Sequence, residues 1–157
     1  NLDVDGDKWM NEYRSYFGEA HQLLPGVEDT LKFAKKQGYK LTVLSNGEKF
    51  MQRHRLELAG IKDYFDLIVT SEEAHYSKPN PHAFDYFFSR TEIGPNETLF
   101  FGDGLQSDIL GAEKYGFDSI WYNHRHRKDT IGLHPLFEVE TYPEFVKIMQ
   151  NDFQKAY

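Results

Sequence analysis

The sequence predicts an α/β fold in which a parallel sheet is covered by helices on both faces. Short apolar runs, rich in β-branched and aromatic residues, alternate with segments of helical periodicity along the 157 residues. Most of these apolar runs end in glycine or small polar residues, as strands do before a turn. Strands that alternate with helices need crossover connections, and these make neighbouring strands parallel. We therefore expect a Rossmann-like core.

The first part of the chain alternates helix, strand and helix. Aromatic residues at helical spacing predict a helix within 8–17. A second helix, 27–37, follows a Pro-Gly turn and stops before Gly38. The run 39–47 is apolar and ends abruptly in Ser-Asn-Gly, which predicts a strand. A further helix over 49–59 ends before a glycine.

The rest of the chain repeats this alternation. The predicted strands are 65–73, 97–104, 118–123 and 136–140. The predicted helices are 80–91, 107–116 and 142–153. Pro81 suits the first turn of its helix, because proline has no amide hydrogen to leave unpaired there.

Composition bounds the class of protein. The chain is 39% hydrophobic, 27% charged and 16% aromatic, which indicates a folded domain. It lacks an apolar run of membrane-spanning length, so no membrane partner is expected. Zero cysteines exclude disulfides and thiolate metal sites and fit a reducing cytoplasm. The net charge of −7 argues against a nucleic-acid partner.

Two stretches offer groups that could bind an anion. Ser45, Asn46 and Gly47 end the first predicted strand and leave hydroxyl and amide donors at the carboxyl edge of the sheet, where ligands bind in such folds. Lys78 lies in the turn "YSKPNP", which two prolines stiffen. A fixed ammonium there could meet an anion or hold a carboxylate charged.

A pair of carboxylates follows the strand 97–104. Asp103 lies at its end in "GDG", and Asp108 comes five residues later, near the start of the next helix. Both could face one crevice, and carboxylate oxygens are ligands that Mg²⁺ prefers. With the donors and the lysine, they describe a site of the size of a phosphate group.

Three segments carry a resemblance to a known family. "LPGVEDTLKFAKKQGYKLTVLSNG", "GIKDYFDLIVTSEEAHYSKPNPHAFDYF" and "LFFGDGLQSDILGA" resemble the haloacid dehalogenase superfamily of phosphohydrolases. Within it, the chain is most similar to the capped members that include the noncanonical nucleotide 5′-nucleotidases. The resemblance implies Mg²⁺-dependent phosphoryl transfer through a covalent aspartyl-phosphate. The implied substrate is a small phosphorylated metabolite, and nucleoside monophosphates are one candidate class.

The resemblance also implies a role for each candidate residue. Ser45, with its two neighbours, corresponds to the segment that binds the transferring phosphoryl group. Lys78 corresponds to the lysine that neutralises this group and the attacking carboxylate. Asp103 corresponds to a metal ligand, and Asp108 to the second acid, which supports the metal or orients the lysine.

The opening "NLDVDGD" has the spacing of the family's nucleophile motif but not its context. Asp7 stands where a threonine is expected, and no apolar strand precedes Asp3. Asp3 also lies shortly before Pro25, where capped relatives have the end of the cap. A calcium loop fits no better, since Lys8 and Arg14 occupy its glycine and glutamate positions. We interpret the stretch as an acidic turn of a cap.

This interpretation predicts an incomplete enzyme. Residues 1–22 would be the remnant of a helical cap and 23–157 a core that lacks its first strand. In the family that strand lies between the strand ending at Ser45 and the one ending at Asp103, so both would have bare edges. We expect the nucleophile upstream of Asn1, and a missing N-terminal segment or a second chain to complete the sheet. The alternative is a truncated, non-catalytic domain that binds a partner.

The loop "YNHRHRKD" is interpreted as solvated. His124 and His126 lack a third metal ligand nearby, and the adjacent arginines would repel a cation.

Overall fold

A computed structural model describes residues 8–9, 12 and 22–151 of the protein. The strands within 22–151 are β1 (Thr42–Ser45), β2 (Leu67–Thr70), β3 (Phe100–Gly102), β4 (Ser119–Tyr122) and β5 (Phe137–Val139). The helices are α1 (Val27–Lys36), α2 (Lys49–Leu58), α3 (Ser71–Ala74), α4 (Pro81–Phe88), α5 (Leu110–Tyr115) and α6 (Tyr142–Asn151). A π-helical turn, Leu105–Ile109, leads into α5.

The alternation of strands and helices is confirmed, although several elements differ at their ends. Residues 71–73, predicted to end a strand, belong to helix α3 instead. Thr70 and Glu73 form a capping box, because the Thr70 hydroxyl accepts from the Glu73 amide while the Glu73 carboxylate accepts from the Thr70 amide. The helix expected over 107–116 also starts earlier, as the π-helical turn.

The strands pair in parallel, in two groups. β1 pairs with β2 in register from Thr42 opposite Leu67 to Ser45 opposite Thr70. β4 pairs with β3 on one side and β5 on the other. Within 22–151, β1 and β3 therefore have one strand neighbour each. The division falls between the strands that end at Ser45 and near Asp103, where the sequence predicts a missing strand.

Two apolar clusters cover the sheet. The first contains Leu44 of β1, Val69 of β2, Phe84 of α4 and Ala112 of α5, with Phe100 of β3 packed against it. It therefore joins both groups of strands under α4 and α5.

The second apolar cluster joins β3, β4 and β5 to α6. Ile120, Tyr122 and Val139 form its buried centre, and Phe101 packs against Phe145 with their ring centroids 4.5 Å apart. Helix α1 in turn packs against α6. The prediction of helices on both faces is confirmed.

The proposed cap and the absence of a membrane partner were the remaining expectations. Most of the cap proposed for 1–22 lies outside the described residues, and Asp3 is among the residues outside them. Among the residues that the structure describes, no helix has both the length and the apolar character needed to cross a membrane.

Candidate active site

Asn46 ties the end of β1 to the turn that carries Lys78. The Asn46 side-chain amide donates to the Lys78 carbonyl at 3.0 Å, and its side-chain oxygen accepts from the Lys78 amide at 2.8 Å. This paired bond uses both polar groups of the Asn46 side chain. Asn46 thus fixes the backbone of Lys78, and its direct contact with a phosphate stays a prediction.

A second clamp joins Gly47 to the start of α3. The Ser71 hydroxyl accepts from the Gly47 amide at 2.9 Å. Gly47 has φ +142°, and a Cβ there would lie 2.6 Å from the Gln52 side-chain nitrogen. The loop after β1 is therefore held on both sides, by Asn46 through the Lys78 turn and by Gly47 through Ser71.

The Lys78 ammonium bridges the two groups of strands. Its Nζ donates to the Leu44 carbonyl of β1 at 2.6 Å and lies 2.8 Å from Asp108 Oδ1, beyond β3. It also lies 5.1 Å from the centre of the Phe100 ring. The side chains of Lys78 and Asp108 are both only 9% exposed, so little water screens their attraction.

Asp108 is held by its own loop as well as by the lysine. Its Oδ2 accepts from the Gly104 amide at 2.9 Å, and its Oδ1 accepts from the Ser107 hydroxyl at 3.2 Å. A Cβ on Gly102 would lie 2.6 Å from the Asp108 carboxylate, so only glycine permits this approach. These contacts favour lysine orientation as the role of Asp108.

Asp103 is exposed at the same edge of the sheet. Its carbonyl accepts from the Trp121 ring nitrogen at 3.4 Å, which ties its backbone to β4. Burial first, and then the negative charge of Asp103, raise the pKa of the Tyr122 hydroxyl. Burial, then the charge of Tyr122 and then that of Asp103 raise the pKa of Tyr142 to about 12.

Ser45 and Asp103 carry the groups that remain free to meet a ligand. Neither the half-buried Ser45 hydroxyl nor the Asp103 carboxylate has a hydrogen-bond or ion-pair partner within the described ranges. Together with the Lys78 ammonium, this hydroxyl and this carboxylate line the carboxyl ends of β1 and β3. Such groups can neutralise and hydrogen-bond the oxygens of a phosphoryl group.

The donor set suits Mg²⁺ as one part of a larger coordination sphere. Asp103 offers a hard carboxylate oxygen, and Mg²⁺ is usually held by one or two carboxylates with waters and substrate phosphate. Asp108 already engages both its oxygens. In the part of the chain described, no group of three or more histidine, cysteine or acidic residues forms a self-sufficient metal site.

The structure thus brings several predicted residues together. Lys78 and Asp108 are in direct contact, and Asn46 joins the Lys78 turn. Ser45 and Asp103 lie at the ends of strands in different groups. The Ser71 clamp was not predicted, although the Thr70-x-x-Glu pattern of a capping box signals the helix that carries it.

Comparison with known proteins identifies the family. Residues 2–116 match the haloacid dehalogenase-like hydrolases, and the chain belongs to that family. It is 33% identical over 149 residues to the pyrimidine 5′-nucleotidase YjjG of Escherichia coli (strain K12), covering 94% of this chain and 66% of that protein. It is 28% identical to the pyrimidine 5′-nucleotidase PynA of Streptococcus pneumoniae, covering 94% and 63%.

Solved structures agree with the fold. The putative HAD-hydrolase YfnB of Bacillus subtilis, described as bound to magnesium, superposes with a TM-score of 0.85 at 29% identity over 95% of this chain. That match covers 65% of the YfnB chain. The present chain thus spans about two thirds of the length of these relatives.

Proposed function

We propose that the protein is a Mg²⁺-dependent phosphomonoester hydrolase that works through an aspartyl-phosphate. The observation that carries this proposal is the buried Lys78 ammonium, held between the Leu44 carbonyl and Asp108. It lies at the edge of the sheet where Ser45 and Asp103 end their strands. A fixed cation beside a free hydroxyl and a free carboxylate is suited to a phosphoryl group and a metal.

Each residue of the site has a distinct task in this proposal. The Ser45 hydroxyl donates a hydrogen bond to a phosphoryl oxygen, and Lys78 neutralises the charge on the group. Asp108 keeps Lys78 in place. Asp103 holds Mg²⁺, which when bound neutralises phosphate oxygens.

An aspartate outside the described residues supplies the nucleophile. Its carboxylate oxygen attacks phosphorus, the ester P–O bond breaks, and the leaving alkoxide oxygen takes a proton from water to become the alcohol. Water then cleaves the acyl phosphate to release inorganic phosphate and restore the carboxylate. We propose that this aspartate follows a strand paired between β1 and β3, since these two strands have one neighbour each within 22–151. An N-terminal segment or a second chain could provide it.

Nucleoside monophosphates are the proposed first substrate class. The support comes from the two relatives named as pyrimidine 5′-nucleotidases, which align with 94% of this chain. The proposed compartment is the cytoplasm, in keeping with the absence of cysteine from the sequence.

Phosphate release by the protein in its full encoded length tests the proposal. We expect hydrolysis of p-nitrophenyl phosphate and of uridine 5′-monophosphate. Ser45→Ala should lower kcat/KM about 100-fold, because one donor to the developing charge is lost. Its thermal midpoint should stay within about 1 °C of the wild type, since the hydroxyl has no partner in the described residues. Wild-type protein that releases no phosphate from either ester would contradict the proposal and favour partner binding instead.

A further inference from the structure

A cavity of about 540 Å³, wide open to solvent, lies beside the candidate active site. One wall is the turn after β3, with Gly104 and Ser107 among its lining residues. The facing wall is the loop after β4, with Arg127, Lys128 and Thr130. Gly104 and Ser107 are sequence neighbours of Asp103 and Asp108, so the cavity shares a wall with the site. Its volume suits a small ligand.

The loop that carries Arg127 is built around a buried asparagine. Asn123 is 5% exposed, and its side-chain oxygen accepts from the Arg127 amide at 2.8 Å. Its side-chain amide donates to the Arg127 carbonyl at 2.9 Å and also to Glu138 of β5. The backbone of Arg127 is therefore fixed to the sheet. Fixing this backbone lowers the ordering cost of binding.

The positive charges of this wall have no carboxylate partner in the part of the chain that the structure describes. Neither Arg127 nor Lys128 forms an ion pair within the residues described. Asp129, their neighbour, accepts instead from the backbone amides of Ile131, Gly132 and Leu133, and these amides hold its pKa below the usual range. Arg127 and Lys128 outnumber the adjacent Asp129 carboxylate, so this wall carries local positive charge in a chain of net charge −7.

We propose that this cavity binds a second anionic group of the substrate. The inference rests on the proposed function. While the phosphoryl group lies against Ser45 and Lys78, the leaving part of the substrate extends along the Gly104–Ser107 turn and places a carboxylate or a second phosphate against Arg127 and Lys128. The preferred substrates are then small phosphomonoesters with a further negative charge. Nucleoside monophosphates with an uncharged base are still substrates but lack this contact, so they are hydrolysed less efficiently than esters with a further anionic group.

Matched substrates isolate the second charge. 3-Phosphoglycerate carries a carboxylate where glycerol 3-phosphate carries a primary alcohol. Fructose 1,6-bisphosphate and fructose 6-phosphate differ by a second phosphate. We expect the full-length enzyme to prefer the more anionic member of at least one pair by about tenfold in kcat/KM, and the pair that shows the preference identifies the group bound.

A double variant tests the residues. Arg127→Ala/Lys128→Ala should remove that preference by raising KM about tenfold for the more anionic ester, while kcat/KM for p-nitrophenyl phosphate stays within twofold. Lys36→Ala/Lys114→Ala makes the same change in net charge at exposed lysines outside the cavity lining. This control should leave both substrates unaffected.

The outcomes separate the cavity from the proposed function. No preference within either pair in the wild type, or equal losses in the cavity and control variants, overturns the cavity proposal. If no ester is hydrolysed, the proposed function fails, and calorimetric binding of 3-phosphoglycerate and fructose 1,6-bisphosphate decides the cavity alone. Binding that the cavity variant loses and the control retains supports it. Equal binding by both, or none by the wild type, overturns it.

Discussion

Replacing Lys78 by methionine should destabilise the protein strongly. At 2.8 Å and an effective dielectric constant of about 20, its attraction to Asp108 is about 6 kcal/mol before desolvation. Methionine fills a similar volume but leaves the Asp108 carboxylate buried without a cation. Removing one partner of a buried pair costs about 3–5 kcal/mol, and we expect Lys78→Met to lower the free energy of unfolding by that amount.

Urea unfolding followed by circular dichroism measures this loss. A double-mutant cycle with Asp108→Asn separates the pair from other effects, because the asparagine still offers an acceptor to the Gly104 amide. The cycle should give a coupling energy of about 2 kcal/mol.

The Lys35–Asp66 ion pair provides a matched control. It too joins separate elements, but its side chains are 36% and 45% exposed. Lys35→Met should therefore cost less than about 1 kcal/mol. A Lys78→Met loss no larger than that of Lys35→Met, with a coupling energy near zero, would refute the reasoning that burial makes the Lys78 pair strong.

Three further predictions concern single residues. Gly102→Ala should lower the free energy of unfolding in urea by more than about 2 kcal/mol, because its Cβ would overlap Asp108. Gly94→Ala, whose Cβ meets only Glu97 at 3.9 Å, should change it by no more than about 0.5 kcal/mol. Equal effects of the two substitutions would contradict the close approach of Gly102 to Asp108. Burial, and then a hydrogen bond to Asp85, raise the pKa of Tyr115 to about 12. The protonated Tyr115 therefore stabilises the folded state fully below pH 10, and this stabilisation is lost as pH rises from about 10 to about 12. The difference in absorbance titration between wild type and Tyr115→Phe should show this late ionisation, and a midpoint near 10 would disprove it. Asp85→Asn should move that midpoint down, and no movement would mean that the hydrogen bond at 2.8 Å has no effect.

Much of the site could be predicted because strand ends are local signals. The apolar run before Ser45 and the one before Asp103 end in small or acidic residues, and parallel strands bring such ends to one edge. The contact between Lys78 and Asp108 was implied only by the family resemblance, since neither residue ends a strand. It joins two loops that the fold places together, although 30 positions separate them in the sequence.

Other features depend on contacts that the sequence does not express locally. The pairing of Asn46 with the Lys78 backbone joins residues 32 positions apart, and an asparagine in a turn has many other uses. In the basic loop after β4, residues 125–129 are exposed, as a solvated loop should be, whereas Asn123 at its start is buried. Only the fold places Arg127 and Lys128 across a cavity from the Asp103 turn.

The Mg²⁺ dependence of phosphate release decides whether Asp103 and its neighbours form a metal-assisted hydrolase site. Full-length wild type and Asp103→Asn would be assayed side by side on p-nitrophenyl phosphate while Mg²⁺ is titrated from chelator-treated protein. We expect activity that rises and saturates with Mg²⁺ in the wild type, and a loss of at least about 100-fold in Asp103→Asn. Phosphate release that is independent of Mg²⁺, or unchanged in Asp103→Asn, would contradict the account.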